Sequence, residues 1–364
     1  MFSDPSSPSD TAGGSEAVGP IVEPDRVTFR YSDLGGVATH VSVRQEVAYP
    51  RNGPDLSPAG SGVWQGVFTR PQVDRFEYRF EIVRPAAEID TILDPANPLT
   101  APGAFGQRSV IEFPDYRAPK WLASDPPRGD VSEIDVRSVV LGDQQPTVLW
   151  ASAGAAPDAP LPLLVALDGV EYARFSGLLQ MLDAEVACGR LPPMRAVLCQ
   201  PTRRDEHYTA SAKFARYIAR ELIPTVCELV SVAPERRFRV GLGASLGGLA
   251  LLHAHRRVNI FGALFCQSSA FFHRGDVLGT AHLRRMERFM DGVLAASSWP
   301  EPIPVTMTCG TVEQNLANNR ECAAALASQG YPAVLHVVRD AHNWIAWRDA
   351  WTPHLVDLLE RVWS

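Results

Sequence analysis

The chain does not open with a basic stretch leading into an apolar run, and it has no apolar run long enough to span a bilayer. Both absences set the expectation of a cytoplasmic protein with no membrane partner. Positive charge is not in surplus either. The 34 Lys and Arg face 41 Asp and Glu, giving a formal charge of −7, which argues against non-specific nucleic-acid binding. Cysteine is scarce: the six (188, 199, 227, 266, 309 and 322) all lie in the second half, and none forms a CxxC pair. Buried free thiols are expected rather than disulfides. The nine histidines include no HExxH. His253 and His255 stand two apart on a predicted helix and so do not share a face. No metal and no cofactor is expected.

What is present is length, 364 residues with 46% hydrophobic, enough for two domains with their own cores. Residues 1–22, rich in Ser, Asp, Pro and Gly, read as a disordered polar leader. From 23 to 122 the pattern is one of short alternating runs. VTFRYS (27–32), ATHVSVRQEV (38–47), VWQGVFT (63–69) and FEYRFEIV (76–83) are predicted strands, with PRNGPDLSPAGSG (50–62) as a break between them. Phe76, Tyr78 and Phe80 share one face, and Glu77, Arg79 and Glu81 the other, which fits a half-buried antiparallel strand. A small all-β, immunoglobulin-like sandwich is expected, followed by a Pro-rich linker at 114–130. Trp64 and Trp121 are read as core or interface residues. Nothing in this half forms a constellation that suggests chemistry.

From 131 to 364 apolar strands alternate with amphipathic helices, the pattern of an α/β sheet. Strands are predicted at 136–141, 147–152, 161–169, 194–201, 238–244, 261–269, 304–310 and 333–340. The continuous apolar character of 161–167 marks a strand covered on both faces. One stretch organises this half: Phe238 to Leu242 leads into Gly243-Ala244-Ser245-Leu246-Gly247, and a helical segment follows at once. A strand, a tight turn carrying serine, and a helix make a nucleophile elbow. Gly243 and Gly247 are expected to be glycine because side chains there would meet the neighbouring strand and helix.

Two later segments complete a candidate triad. Arg339-Asp340-Ala341-His342-Asn343-Trp344 follows one predicted strand, and Cys309-Gly310-Thr311-Val312-Glu313 follows another. Ser245, Glu313 and His342 then occur in the order used by the α/β-hydrolase fold. Asp340, close to His342, is the alternative acid, expected to point away from it. Oxyanion donors are expected from the N–H of Leu246 and from that of Gly169 or Val170, in the loop after a predicted strand.

These segments resemble the enterochelin esterases, a family of ferric-siderophore esterases within the esterase D-like α/β hydrolases. The similar stretches are LLVALDGVEY (163–172), LDAEVACGRLPPMRAVL (182–198), RRDEH (203–207), ELIPTV (221–226), GASLGGLALL (243–252), FGALFCQSSAFF (261–272) and the Glu313 and His342 segments. VTFRY, VWQGVF, FEYRFEI and LDPANP resemble that family's N-terminal sandwich. The resemblance implies Ser245 as nucleophile, His342 as base, Glu313 as acid, and Arg203, Glu206 and Trp344 as substrate contacts, with an internal ion pair that holds the loop as the equal alternative for Arg203 and Glu206. It also implies a small-molecule ester substrate such as a ferric siderophore, and an N-terminal domain that packs over the pocket mouth to confine a bulky substrate. It implies no particular oligomeric state. This chain carries Asp340-Ala341-His342-Asn343-Trp344 where the family has Gly-Gly-His-Asp-Trp, His207 where it has leucine, and Ala244 and Leu246 where glutamine and phenylalanine are usual. An acyltransferase of the mycolyltransferase kind, or a binding protein on a hydrolase fold, are the alternative functions.

Overall fold

A computed structural model describes residues 19–273, 275 and 281–364. Most of the expected leader, residues 1–18, lies outside them, while its last residues enter the first strand. Nine strands form the N-terminal part: β1 (Ile21–Glu23), β2 (Arg26–Ser32), β3 (His40–Gln45), β4 (Asn52–Gly60), β5 (Val63–Thr69), β6 (Arg75–Val83), β7 (Ile89–Ile92), β8 (Thr100–Ala101) and β9 (Arg108–Glu112). They pair in the order β1-β2-β5-β4-β3-β6-β9-β8, with β7 also on β6. The first half of β4 pairs with β3 (Val41 opposite Leu56) and the second half with β5 (Pro58 opposite Trp64). The chain therefore changes layer within β4, and the two layers close on Val27, Phe29, Val41, Leu56, Phe76 and Phe80. The Phe29 ring lies 4.8 Å from that of Tyr78 across this sandwich core.

The segment expected to be a break is thus a strand. Its Gly, Pro and Asn content reflects what a layer change needs. The ladder is irregular against both neighbours, and prolines, which cannot donate to a ladder, are tolerated where it is interrupted.

Eight further strands form a second sheet: β10 (Asp130–Ser138), β11 (Asp143–Ala151), β12 (Leu163–Leu167), β13 (Arg195–Cys199), β14 (Arg239–Ala244), β15 (Ala263–Gln267), β16 (Val305–Gly310) and β17 (Ala333–Val338). The order is β10-β11-β13-β12-β14-β15-β16-β17. The first two pairings are antiparallel and the rest parallel. Every residue of β12 is buried, and alternation sends its side chains to two cores. Leu163, Val165 and Leu167 join one, and Leu164 and Ala166 join the other. The apolar run 136–141 is cut short, because Val139 and Val140 leave the sheet. Their N–H groups donate to the Glu221 carboxylate, each at 3.0 Å.

Trp121, placed by the sequence in the sandwich, belongs to the second sheet's core, where it stacks on Trp351 at 6.3 Å. All six cysteines are free; four are buried, but Cys188 and Cys227 are exposed, against the expectation of burial. No described helix is long and apolar enough to cross a membrane.

Candidate active site

Ser245 joins β14 to the helix Leu246–Val258 with φ 54° and ψ −120°, a strained combination for a residue with a side chain. Its backbone is fixed from β15: the Ser245 N–H donates to Gln267 O (2.9 Å), and the Ala270 N–H donates to Ser245 O (3.0 Å). A Cβ on Gly243 would sit 2.7 Å from the Gly247 carbonyl carbon, so glycine is required there. At Gly247 the nearest atom would be 3.6 Å away, which corrects the expectation of a clash. The second close approach is at Gly248, where a Cβ would lie 2.0 Å from Ser269 Oγ.

Glu313 follows β16 and His342 follows β17, so parallel pairing of β14 through β17 carries all three to one edge of the sheet. His342 Nδ1–H donates to Glu313 Oε2 at 2.7 Å. The Glu313 side chain is 2% exposed. Its other oxygen accepts from Ser268 Oγ and from the Gly310 N–H, each at 2.6 Å. Trp347 Nε1–H in turn donates to Ser268 Oγ (2.9 Å), and the Trp347 ring meets the His342 ring edge-on at 5.1 Å. A carboxylate held this way fixes the imidazole with Nδ1 protonated and Nε2 free to accept a proton. Asp340 does not reach His342. Its carboxylate accepts from the Ala341 N–H (2.8 Å) and faces Arg75 at 3.8 Å.

The loop after β12 turns at Asp168, with φ 54°, into the short helix Gly169–Glu171. The buried Asp168 carboxylate is clasped by Arg204 through Nε (3.0 Å) and Nη2 (2.8 Å). Burial pushes this carboxyl up, and Arg204 opposes the shift. A Cβ on Gly169 would meet Leu198 Cα at 2.6 Å, so the loop packs directly on β13. A Cβ on Gly247 would lie 3.6 Å from Asp168 Oδ2, so this loop adjoins the start of the serine helix. The N-terminal N–H groups of two helices, at Leu246 and at Gly169 and Val170, therefore begin beside each other.

Ser245, Glu313, His342 and Trp344 all line one cleft of ≈ 960 Å³. Trp344 packs against Tyr172 (5.3 Å) and Phe175 (5.5 Å). The sandwich supplies the opposite wall with Glu46, Tyr49, Arg51, Phe105 and Arg108, and Phe105 is 90% exposed at the rim. Arg203 and Glu206 do not line the cleft, which favours the loop-holding ion pair over the pocket wall. They pair with each other at 2.9 Å, and Arg203 also donates to Leu141 O (2.9 Å). Arg204 lines it instead. Arg203 is the residue just before the helix Arg204–Tyr208, and Arg204 is the first residue within it. His207 is buried and stacks on Phe214.

The sandwich does more than cover the mouth. Arg75 and Glu77, on the face of β6 that alternation assigns to solvent, are buried. Arg75 Nη1 donates to Asn343 Oδ1 (3.0 Å), and Asn343 Nδ2 donates to Glu46 Oε1 (3.0 Å). Burial, followed by the charge of Glu77, pushes the Glu46 carboxyl up to about 8 from its ordinary 4.5. Burial likewise lifts Asp340 to about 7 from 3.8. Between the ordinary and the raised values the folded chain keeps protons that the unfolded chain has lost. Stability is therefore full below pH ~4 and is lost as pH rises through ~8, on the order of a few kcal/mol. Calorimetry from pH 5 to pH 9 should show Tm falling with pH, and Glu46→Gln should flatten the slope. An unchanged slope would show that Glu46 is not the group responsible.

Residues 151–358 match the family model described as "Putative esterase". A curated relative, the iron(III) enterobactin esterase of Dickeya dadantii (strain 3937), is 26% identical over 273 residues, 70% of this chain. That match spans less than two thirds of the relative, 62% of its length. Among solved structures, the enterochelin esterase from Shigella flexneri superposes with a TM-score of 0.77 at 21% identity, covering 98% of this chain and 99% of that one. The ferric enterobactin esterase from Salmonella typhimurium gives 0.77 at 20% identity, covering 95% and 98%. At such identities the likeness is one of fold. It covers both the eight-stranded sheet and the sandwich before it.

Proposed function

The chain belongs to the putative esterase family, and from that premise we propose that it is a serine hydrolase of carboxylic esters, acting on a bulky siderophore-like ester. The carrying observation is the 2.7 Å bond from His342 Nδ1–H to Glu313, in the same cleft as the strained Ser245. In this reading His342 Nε2 takes the Ser245 proton as Oγ attacks the ester carbonyl. Glu313 stabilises the imidazolium that results. The oxyanion is received by the N–H of Leu246 and that of Gly169 or Val170. His342 returns the proton to the departing alkoxide, and water, activated the same way, then frees the acid. No group beyond the chain is needed for these steps, and any iron would be carried by the substrate.

The cleft suits a large ligand. Its ≈ 960 Å³ stands at the upper end of small-molecule sites. Tyr49, Phe105 and Trp344 offer aromatic surface, and Arg51 offers positive charge on a wall where Arg108 and Arg204 are paired with Glu46 and Asp168. These features support an aromatic, anionic substrate, in keeping with the relatives named for iron(III) enterobactin. The test is an activity profile of the purified chain on short p-nitrophenyl esters, on a catechol trilactone with and without iron, and on acylated sugars. The expected result is turnover of the trilactone with kcat/KM at least tenfold above that of the small esters. A preference for acylated sugars would overturn the substrate assignment.

A further inference from the structure

The charged cluster beside the His342 loop, part of which reaches the cleft wall, moves no proton in the steps above, yet it is built from both halves of the chain. Asn343 lies at its centre. Its Oδ1 accepts from Arg75 Nη1 (3.0 Å) and from the Ala346 N–H (2.8 Å), which caps the helix Trp344–Asp349. Its Nδ2 donates to Glu46 Oε1 (3.0 Å) and to Asp340 Oδ1 (3.3 Å). Both hydrogens and both lone pairs of one amide are thus engaged. Two of the four partners come from the sandwich: Arg75 from β6, and Glu46 from the turn after β3. Arg75 is held in turn by Glu77 (3.2 Å), and Glu46 by Arg108 (3.3 Å).

We infer that Asn343 is a positioning residue, gripped from the sandwich by Arg75 and Glu46, and that this grip sets the place of the adjacent His342. The inference rests on the reading of His342 as the base. One peptide unit separates the two side chains, so displacement of Asn343 displaces the imaginary axis joining His342 to Glu313 and Ser245. An error of about 1 Å in such a geometry costs about a hundredfold in rate. His342 itself is 41% exposed, and among the described residues its ring rests on Glu313 and Trp347. An amide buried on its C-terminal side is the anchor that a side chain so open to the cleft otherwise lacks.

The charges facing this amide define a signature. Glu46, Glu77 and Asp340 surround it with Arg75 and Arg108, and Tyr116 and Asp349 lie behind Arg75. Three carboxyls face two guanidiniums here, and burial with the charge of Glu77 lifts the Glu46 carboxyl to about 8. Asn343 donates to Glu46 whether or not that proton is present. A carboxylate in its place could bond to Glu46 only while Glu46 itself donates.

The experiment compares wild type, Asn343→Ala and Asn343→Asp in the full chain, with p-nitrophenyl acetate as substrate and fluorophosphonate labelling of Ser245 as a second readout. Asn343→Ala is expected to lower kcat at least tenfold with KM within twofold, and to slow labelling to the same degree. Asn343→Asp keeps acceptors for Arg75 and Ala346, so it should restore kcat at pH 7 and lose it again at alkaline pH, as Glu46 gives up its proton, where wild type does not. Should Asn343→Ala not fold by circular dichroism, Glu46→Ala removes the sandwich's acceptor alone and is read in the same way. Unchanged kcat in Asn343→Ala or Glu46→Ala, a change confined to KM, or an Asn343→Asp profile parallel to wild type overturns the inference alone. Wild-type protein that neither turns over the ester nor labels at Ser245 overturns the hydrolase reading, and the inference with it.

Discussion

Ser245→Ala is expected to lower kcat on any ester substrate by roughly 10⁴ to 10⁶, the usual cost of removing a serine nucleophile, with folding intact. The second half of that expectation follows from how the turn is built. Its bonds to Gln267 O and from the Ala270 N–H use only the Ser245 backbone, and they survive truncation of the side chain. The positive φ of 54° is imposed by packing at Gly243 and Gly248, which the substitution leaves untouched. Thermal unfolding should therefore move by only a few degrees while turnover disappears. A fluorophosphonate probe followed by peptide mass spectrometry should place its label on Ser245 in wild type and nowhere in the variant. A label at another residue, or near-normal turnover in the variant, would show that the chemistry lies elsewhere.

His342→Ala should be about as damaging as Ser245→Ala, and the double variant no worse than either single one, because nucleophile and base act as a unit. Glu313→Gln should cost less, roughly 10² to 10⁴. The base would remain, but an amide that offers N–H where Oε2 now accepts from Nδ1 favours the wrong tautomer. Glu313 Oε1 already accepts from Ser268 and Gly310, so rotating the amide to recover the bond would break two others. Asp340→Asn is the control. Asp340 touches Arg75, the Ala341 N–H and Asn343 rather than the imidazole, so its loss acts on His342 only indirectly. A greater loss of kcat in Asp340→Asn than in Glu313→Gln would show that the acid has been misassigned.

The parts of this molecule that were legible in the sequence are those that depend on near neighbours. A strand, a glycine-flanked serine and a helix are specified within twenty residues. Glu313 and His342 stand just past strands whose apolar runs are equally plain. The parts that were missed depend on what a surface packs against. Alternation in β6 correctly puts Phe76 and Tyr78 on one face and Arg75 and Glu77 on the other, but it is silent on whether the second face meets water or protein. Here it meets the His342 loop, so two charged residues are buried. Likewise the Arg-Arg pair at 203–204 is plain in the sequence, but which arginine faces the cleft depends on where the helix begins, and it begins at Arg204. In β4, turn-forming residues serve a strand that crosses between layers, and composition alone does not distinguish the two uses.

The bond between Arg75 and Asn343 joins residues 268 positions apart, and it bears on how such a chain can change over generations. A hybrid that joined this eight-stranded sheet to another sandwich would keep Ser245, Glu313 and His342, but would keep the grip on Asn343 only if that sandwich supplied counterparts of Arg75 and Glu46. An aspartate in place of Asn343 would bring a further negative charge against Glu46 and Asp340, so it calls for a matching change across the seam. The seam therefore constrains both sides at once: a substitution at Asn343 is felt by Arg75 and Glu46, and one at either of those is felt by Asn343.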